Sequence, residues 1–198
     1  MDQDLHQIAG VLALGLLLPA WLIFGFLDWW HHRKTHIETT SGWRESGLHL
    51  LLISQAGLAV LAALFLEVNA LILGVTIAAY LAHELTTGLD VHYADARREI
   101  VASEQRVHDY LTAIPLALLV ILIITHGGQF AALFGFGEET ADFSLRWRQD
   151  PLPTWYLATW VPLSSLNAVI YLEEFARCFK AARTAQTQSN RAPGYYGF

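Results

Sequence analysis

Four long stretches of this chain contain no Asp, Glu, Lys or Arg: residues 7–27, 46–66, 110–137 and 151–172. A fifth, residues 68–89, is interrupted only by Glu84. This constrains the fold more than any other feature, because about 20 apolar residues in helical form cross the ~30 Å hydrocarbon core of a bilayer. Only 15% of the 198 residues are charged, against roughly 25% in an average soluble domain. A soluble surface cannot be covered with so little charge. The formal net charge of −6 argues against nucleic acid as a partner, and the lone Cys178 excludes a disulfide framework. The apolar content excludes a disordered chain.

The expected fold is all-α: a polytopic membrane helical bundle with five transmembrane helices over residues 7–30, 45–66, 69–88, 105–126 and 154–176. Residues 1–183 are read as a single transmembrane domain and the polar stretch 184–198 as a mobile cytoplasmic tail. The acidic leader Asp2-Gln3-Asp4, and Trp29-Trp30-His31-His32 where small residues would mark cleavage, argue against a removed signal peptide. Pro19, Pro115 and Pro162 fall inside spans, where neighbouring helices can satisfy the carbonyls they free.

Orientation follows from the cationic residues. Arg33, Lys34, Arg44, Arg97, Arg98, Arg106, Arg177, Lys180, Arg183 and Arg191 fall on one side of the expected topology, and only Arg146 and Arg148 on the other. The positive-inside rule then puts the N-terminus outside and the C-terminus in the cytoplasm, as expected of a multi-pass protein of a bacterial inner membrane.

The chemistry is concentrated on the cytoplasmic side, where seven of the nine histidines fall. The order of residues repeats there. Asp28-x-x-His31-His32 ends the first span and Glu45-x3-His49 opens the second; Asp90-x-His92 follows the third span and Glu104-x3-His108 opens the fourth. Two parallel helical-hairpin repeats plus one helix would produce this pattern. Residues four apart share a helix face, so Asp28 with His32, Glu45 with His49 and Glu104 with His108 can each aim two ligands at one point. His83 and Asp90, seven apart, also share a face.

Carboxylate and imidazole together are the ligand set of iron, manganese and zinc sites, and soluble dimetal bundles combine them on facing helices. The expected metal ligands are Asp28, His32, Glu45, His49, His83, Asp90, Glu104 and His108, with His31, His36, Glu84 and His92 as second choices. These are too many for one tetrahedral zinc, so two metal ions are expected, iron favoured, with zinc or manganese as alternatives. Glu174, in the fifth span, is expected to pair with an arginine rather than to reach the site, since Glu173 and Arg177 also stand at i, i+4.

The density of histidine over residues 28–49 and 83–108 resembles the membrane-bound histidine-box di-iron oxidoreductases, namely fatty-acid desaturases, hydroxylases and alkane hydroxylases. His32-Arg33-Lys34-Thr35-His36 matches the His-x3-His box, while His-x-x-His-His does not occur and acidic residues are more abundant than in that family. The resemblance implies an oxidoreductase that takes a lipid-soluble substrate from the membrane lipid and electrons from a donor. Three rival readings remain open. One is a metal-dependent hydrolase of lipid head groups with Glu84 or Glu104 as base. The others are a b-type haem protein using His49 and His108, and a non-enzymatic metal carrier or sensor.

Overall fold

Pro19 shapes the first rod of the molecule. In the computed structural model, which describes residues 3–191, helix α1 (Gln3–Leu12) passes through a π-helical turn at Ala13–Leu17 into helix α2 (Leu18–Lys34). Proline lacks an N–H and cannot close a helical hydrogen bond. The Leu18 N–H donates to the Ala13 carbonyl, five residues back, and the Leu14 carbonyl, freed by the wide turn, accepts the Tyr156 hydroxyl at 2.8 Å. A hydroxyl from another helix thus replaces the missing backbone donor.

The chain then makes a single 3-10 turn at Ile37–Thr39, with His36 in the left-handed region at φ 52°. Ile37 is fully buried beneath this turn, and Glu38 accepts from Arg177, which ties the turn to the last helix. Burial works against ionisation of Glu38, and its own backbone, His36 and Arg177 outweigh it, so its carboxyl is held below the ordinary range.

Helices α3 (Trp43–Phe65) and α4 (Ala70–Asp95) form a tight hairpin capped by Asn69, whose side chain accepts from the Ile72 N–H at 3.2 Å. Helix α5 (Ala102–Thr125) returns antiparallel to α4 and leads into the short α6 (Gly127–Leu133). The loop over residues 134–153 closes the far end of the bundle. Its Arg146 carbonyl accepts from the Glu67 N–H at 3.0 Å, and its Arg148 N–H donates to Phe65 at 2.9 Å. Helix α7 (Thr154–Arg191) then lies along α3 and α2.

Four helical segments are long and apolar enough to cross a membrane: residues Asp4–Lys34, Trp43–Phe65, Ala70–Asp95 and Ala102–Thr125. Helix α7, over the fifth expected span, is more polar, with Pro162, Ser164, Ser165 and Asn167. The apolar surface faces outward: Leu81, Leu85 and Leu89, one turn apart on α4, are all exposed. Without water to exclude, membrane helices pack through small and polar residues and leave large apolar ones to the lipid.

Two boundaries differ from expectation. Helix α4 runs unbroken through Gly88 to Asp95, because its far end packs against α3 and α5. Helix α7 continues through residues 184–191, the first half of the expected tail. No glycine or proline interrupts residues 163–191, and Thr187 bonds back to the Arg183 carbonyl at 2.9 Å. Residues 192–198, the rest of that tail, lie outside the described residues.

Candidate metal centre

Five helices each deliver buried polar side chains to one point at the end of the bundle that carries the 35–42 and 96–101 connections. Helix α2 brings Asp28 and His32, α3 brings Glu45, Ser46 and His49, and α4 brings Asp90. Helix α5 brings Glu104 and His108, and α7 brings Tyr171 and Glu174. His32, Glu45, Ser46, Glu104 and Glu174 are wholly buried. The i, i+4 pairs put both members of each pair on the inward face of their helix.

Two imidazoles form the centre. The rings of His32 and His49 stack, with centroids 4.4 Å apart and planes 5° from parallel. Glu174 holds both from one side: its Oε2 lies 3.1 Å from His32 Nδ1 and its Oε1 lies 2.8 Å from His49 Nδ1. Ser46 donates to the same Oε1 at 2.9 Å. The Nε2 atoms face carboxylates. His32 Nε2 is 3.5 Å from Asp28 and 3.6 Å from Glu104; His49 Nε2 is 3.4 Å from Asp90 and 3.9 Å from Glu45. His108 Nε2 reaches Asp28 Oδ1 at 2.9 Å, and the Tyr171 hydroxyl stands 2.9 Å from Asp28 Oδ2.

Two groups of ligand atoms are close enough to hold a metal ion. Asp28, His32 and His108 form one, and His32, Glu45 and His49 the other, with the atoms of each group within 4.8 Å of one another. Among the described residues, His32 Nε2, Asp90 Oδ1, Glu104 Oε2 and His108 Nδ1 are buried without a hydrogen-bond partner. Buried polar atoms of this kind are rare, and a bound ion is one of their standard explanations.

Arg98 closes the cluster from the 96–101 connection. Its Nη2 donates to Glu45 and to Glu104, each at 2.6 Å, and the side chain is only 4% exposed. Burial opposes the charge on this guanidinium; the two carboxylates outweigh that opposition and hold its pKa above the ordinary value. Five buried carboxylates face one guanidinium, so four negative charges are uncompensated when the imidazoles are neutral. Charge cannot be left this way in a low-dielectric interior without several kcal/mol of penalty per ion.

Of the eight expected ligands, Asp28, His32, Glu45, His49, Asp90, Glu104 and His108 meet here, and His83 does not. His83 lies two turns from Asp90, roughly 10 Å along the helix axis, with its ring edge-on to Trp21 at 6.3 Å. A shared face does not bring groups at different depths to one point. The second choices stand outside the cluster as well. His36 is exposed beside Glu38, His92 is exposed because α4 is unbroken, and His31 and Glu84 are half-buried. Glu174 corrects the sequence expectation: its two oxygens reach the Nδ1 atoms of both imidazoles, and Arg177 pairs with Glu38 and Glu173 instead. Asn167, Tyr171 and Glu174, on one stripe of α7, were the signal that could have identified it. Sequence reasoning missed Arg98, whose place among the cationic residues indicates only its side of the membrane.

A cavity of about 290 Å³ opens onto Asp28, His49, Asp90, His108 and Tyr171 from within the bundle. Its walls are largely apolar. A second cavity of about 280 Å³ shares Leu18, Trp21, Ala56, Val60 and His83 with it and extends to His6 and His126 at the opposite end. Together they line an apolar path along the bundle axis to the polar cluster. No family model, curated protein or solved structure matches this chain.

Proposed function

We propose that this chain is a multi-pass membrane metalloprotein with a dimetal His/Asp/Glu site at its cytoplasmic face, acting as an oxidoreductase on a lipid-soluble substrate. The observation that carries the reading is the stacked His32–His49 pair, each Nε2 facing its own pair of carboxylates. Asp28, His32, Glu104 and His108 would hold one ion, and Glu45, His49 and Asp90 the other. Two divalent cations would neutralise the four uncompensated charges while leaving the imidazoles neutral, as ligation requires. Mixed imidazole and carboxylate ligation suits iron, with manganese or zinc as alternatives. Bound iron would supply O₂ chemistry, with electrons from an external donor. The apolar cavity that ends at Asp28 and His49 would admit the substrate chain and exclude water.

The first test is metal analysis of the purified protein and four variants. His49→Ala and His108→Ala are expected to lose bound metal, by at least the roughly 10–100-fold that loss of a group supporting a ligand costs. His6→Ala and His126→Ala, about a full membrane thickness away, are expected to keep it. Equal metal content in all four, including none, would remove the reading; stoichiometric zinc without colour would move it to hydrolysis.

The proposed topology has five spans, α7 being the fifth, as two hairpin repeats plus one helix. It puts the N-terminus outside and the cluster on the cytoplasmic side. A reporter fused after Phe198 is expected to be active only in its cytoplasmic form. Activity of a periplasmic reporter would reverse the orientation.

A further inference from the structure

Glu174 makes contacts that a structural ion pair would not require. A carboxylate accepts hydrogen bonds and donates none, so an imidazole nitrogen within hydrogen-bond distance of it must carry the proton. Glu174 Oε2 faces His32 Nδ1 and Oε1 faces His49 Nδ1. Both Nδ1 atoms are therefore protonated, and in the neutral imidazoles, the form that ligates metal, the Nε2 atoms are the ones free to bind. Because the rings lie parallel at 4.4 Å with their Nδ1 atoms on one carboxylate, the Nε2 atoms emerge on the same side of the stack. The ring centroids, 4.4 Å apart, are spaced only slightly wider than the ~3.5–4 Å between the ions of two-metal sites.

We infer that Glu174 is the residue that makes this a two-ion site, by presenting His32 Nε2 and His49 Nε2 side by side as ligands for separate metals. The inference rests on the dimetal reading for its metals, but not for its protons. Carboxylates that orient ligating imidazoles are a general device, and their loss weakens metal binding by about 10–100-fold. Here one carboxylate serves two imidazoles, which leads to a consequence that a merely structural group would not have.

Glu174→Gln preserves size and shape but leaves one oxygen and one NH₂ where there were two oxygens. Only one imidazole can still donate from Nδ1. The other must accept from the amide and carry its proton on Nε2, where it can no longer bind metal. Ser46 donates to Oε1, the atom shared with His49, and so favours the amide oxygen there. His32 is the imidazole expected to switch.

The test uses the full chain in detergent, loaded with zinc, with helicity checked in parallel. Wild-type protein is expected to bind two ions and Glu174→Gln one, with the loss at the His32 position. Nitrogen-15 NMR of the imidazoles, read without metal, should show Nδ1–H on both His32 and His49 in the wild type, and on His49 alone in the variant. Retention of Nδ1–H on His32 in the variant, or its absence from either wild-type ring, would overturn the inference. Wild-type protein that binds no metal but shows both Nδ1–H groups would overturn the dimetal reading and the two-ion role with it, leaving Glu174 only as the group that orients the imidazoles. Ser46→Ala in the Gln background gives a second readout: the two imidazoles should then share the switched form.

Discussion

Arg98→Ala is expected to destabilise the metal-free protein by about 3–5 kcal/mol, the usual effect of removing one partner from a buried ion pair. The guanidinium contacts Glu45 and Glu104 at 2.6 Å each, and both carboxylates are wholly buried. Alanine would leave two adjacent negative charges without a counterion, in a cluster that already lacks four. Arg98→Lys should recover only part of the loss, because an ammonium cannot reproduce the fork that puts Nε and Nη2 on Glu45 together. With metal bound the effect should shrink, since the cations supply the missing charge. Unfolding in mixed detergent micelles measures this directly, and a change below ~0.5 kcal/mol, the range of ordinary surface substitutions, would show that the pair carries no structural weight.

Chelation should have an effect of similar size across the whole molecule. An ion bound at a hundredfold excess over its dissociation constant stabilises the folded state by about 2.7 kcal/mol, so two ions should contribute roughly 5 kcal/mol. For a chain of this size each kcal/mol corresponds to about 2–4 °C, so if the proposed site holds two ions, stripping them should lower the melting temperature by roughly 10–20 °C. Readdition of iron, manganese or zinc should restore it, and the order of effectiveness would report the site's preference. The sign follows from the cluster: its five carboxylates, four of them proposed ligands, repel one another without the cations, and the folded state alone holds them together. A melting temperature indifferent to both chelation and readdition would mean that no ion is integral to the fold.

Both results turn on residues that were legible to different degrees. Asp28, His32, Glu45, His49, Glu104 and His108 were readable because each helix repeats the same local rule, two ligand types one turn apart at the same end of an apolar span. Asp90 was readable by its place in the repeat. His83 fitted the rotational rule equally well, and its depth along α4 removed it. Glu174 satisfied two local rules at once, a stripe with Tyr171 and proximity in sequence to Arg177, and no property of α7 alone chooses between them. The choice depends on Glu38, contributed by the distant 35–42 turn, which engages Arg177 and leaves Glu174 to the imidazoles.

Read alone, the sequence establishes that the chain is helical, that at least four of its segments are long and apolar enough for a membrane, and that seven of its nine histidines fall at one end with Asp28, Glu45, Asp90 and Glu104. These properties are local: charge-free length, hydropathy and i, i+4 spacing act within one helix. Which of these groups touch is set by how the helices pack. A side chain's direction turns about 100° with each residue and its depth changes by 1.5 Å, so Glu173 meets Arg33 at the surface while Glu174, its neighbour, lies wholly buried against the Nδ1 edges of His32 and His49. That difference is set by how α7 is rotated against α2 and α3, through contacts more than a hundred residues apart in the chain.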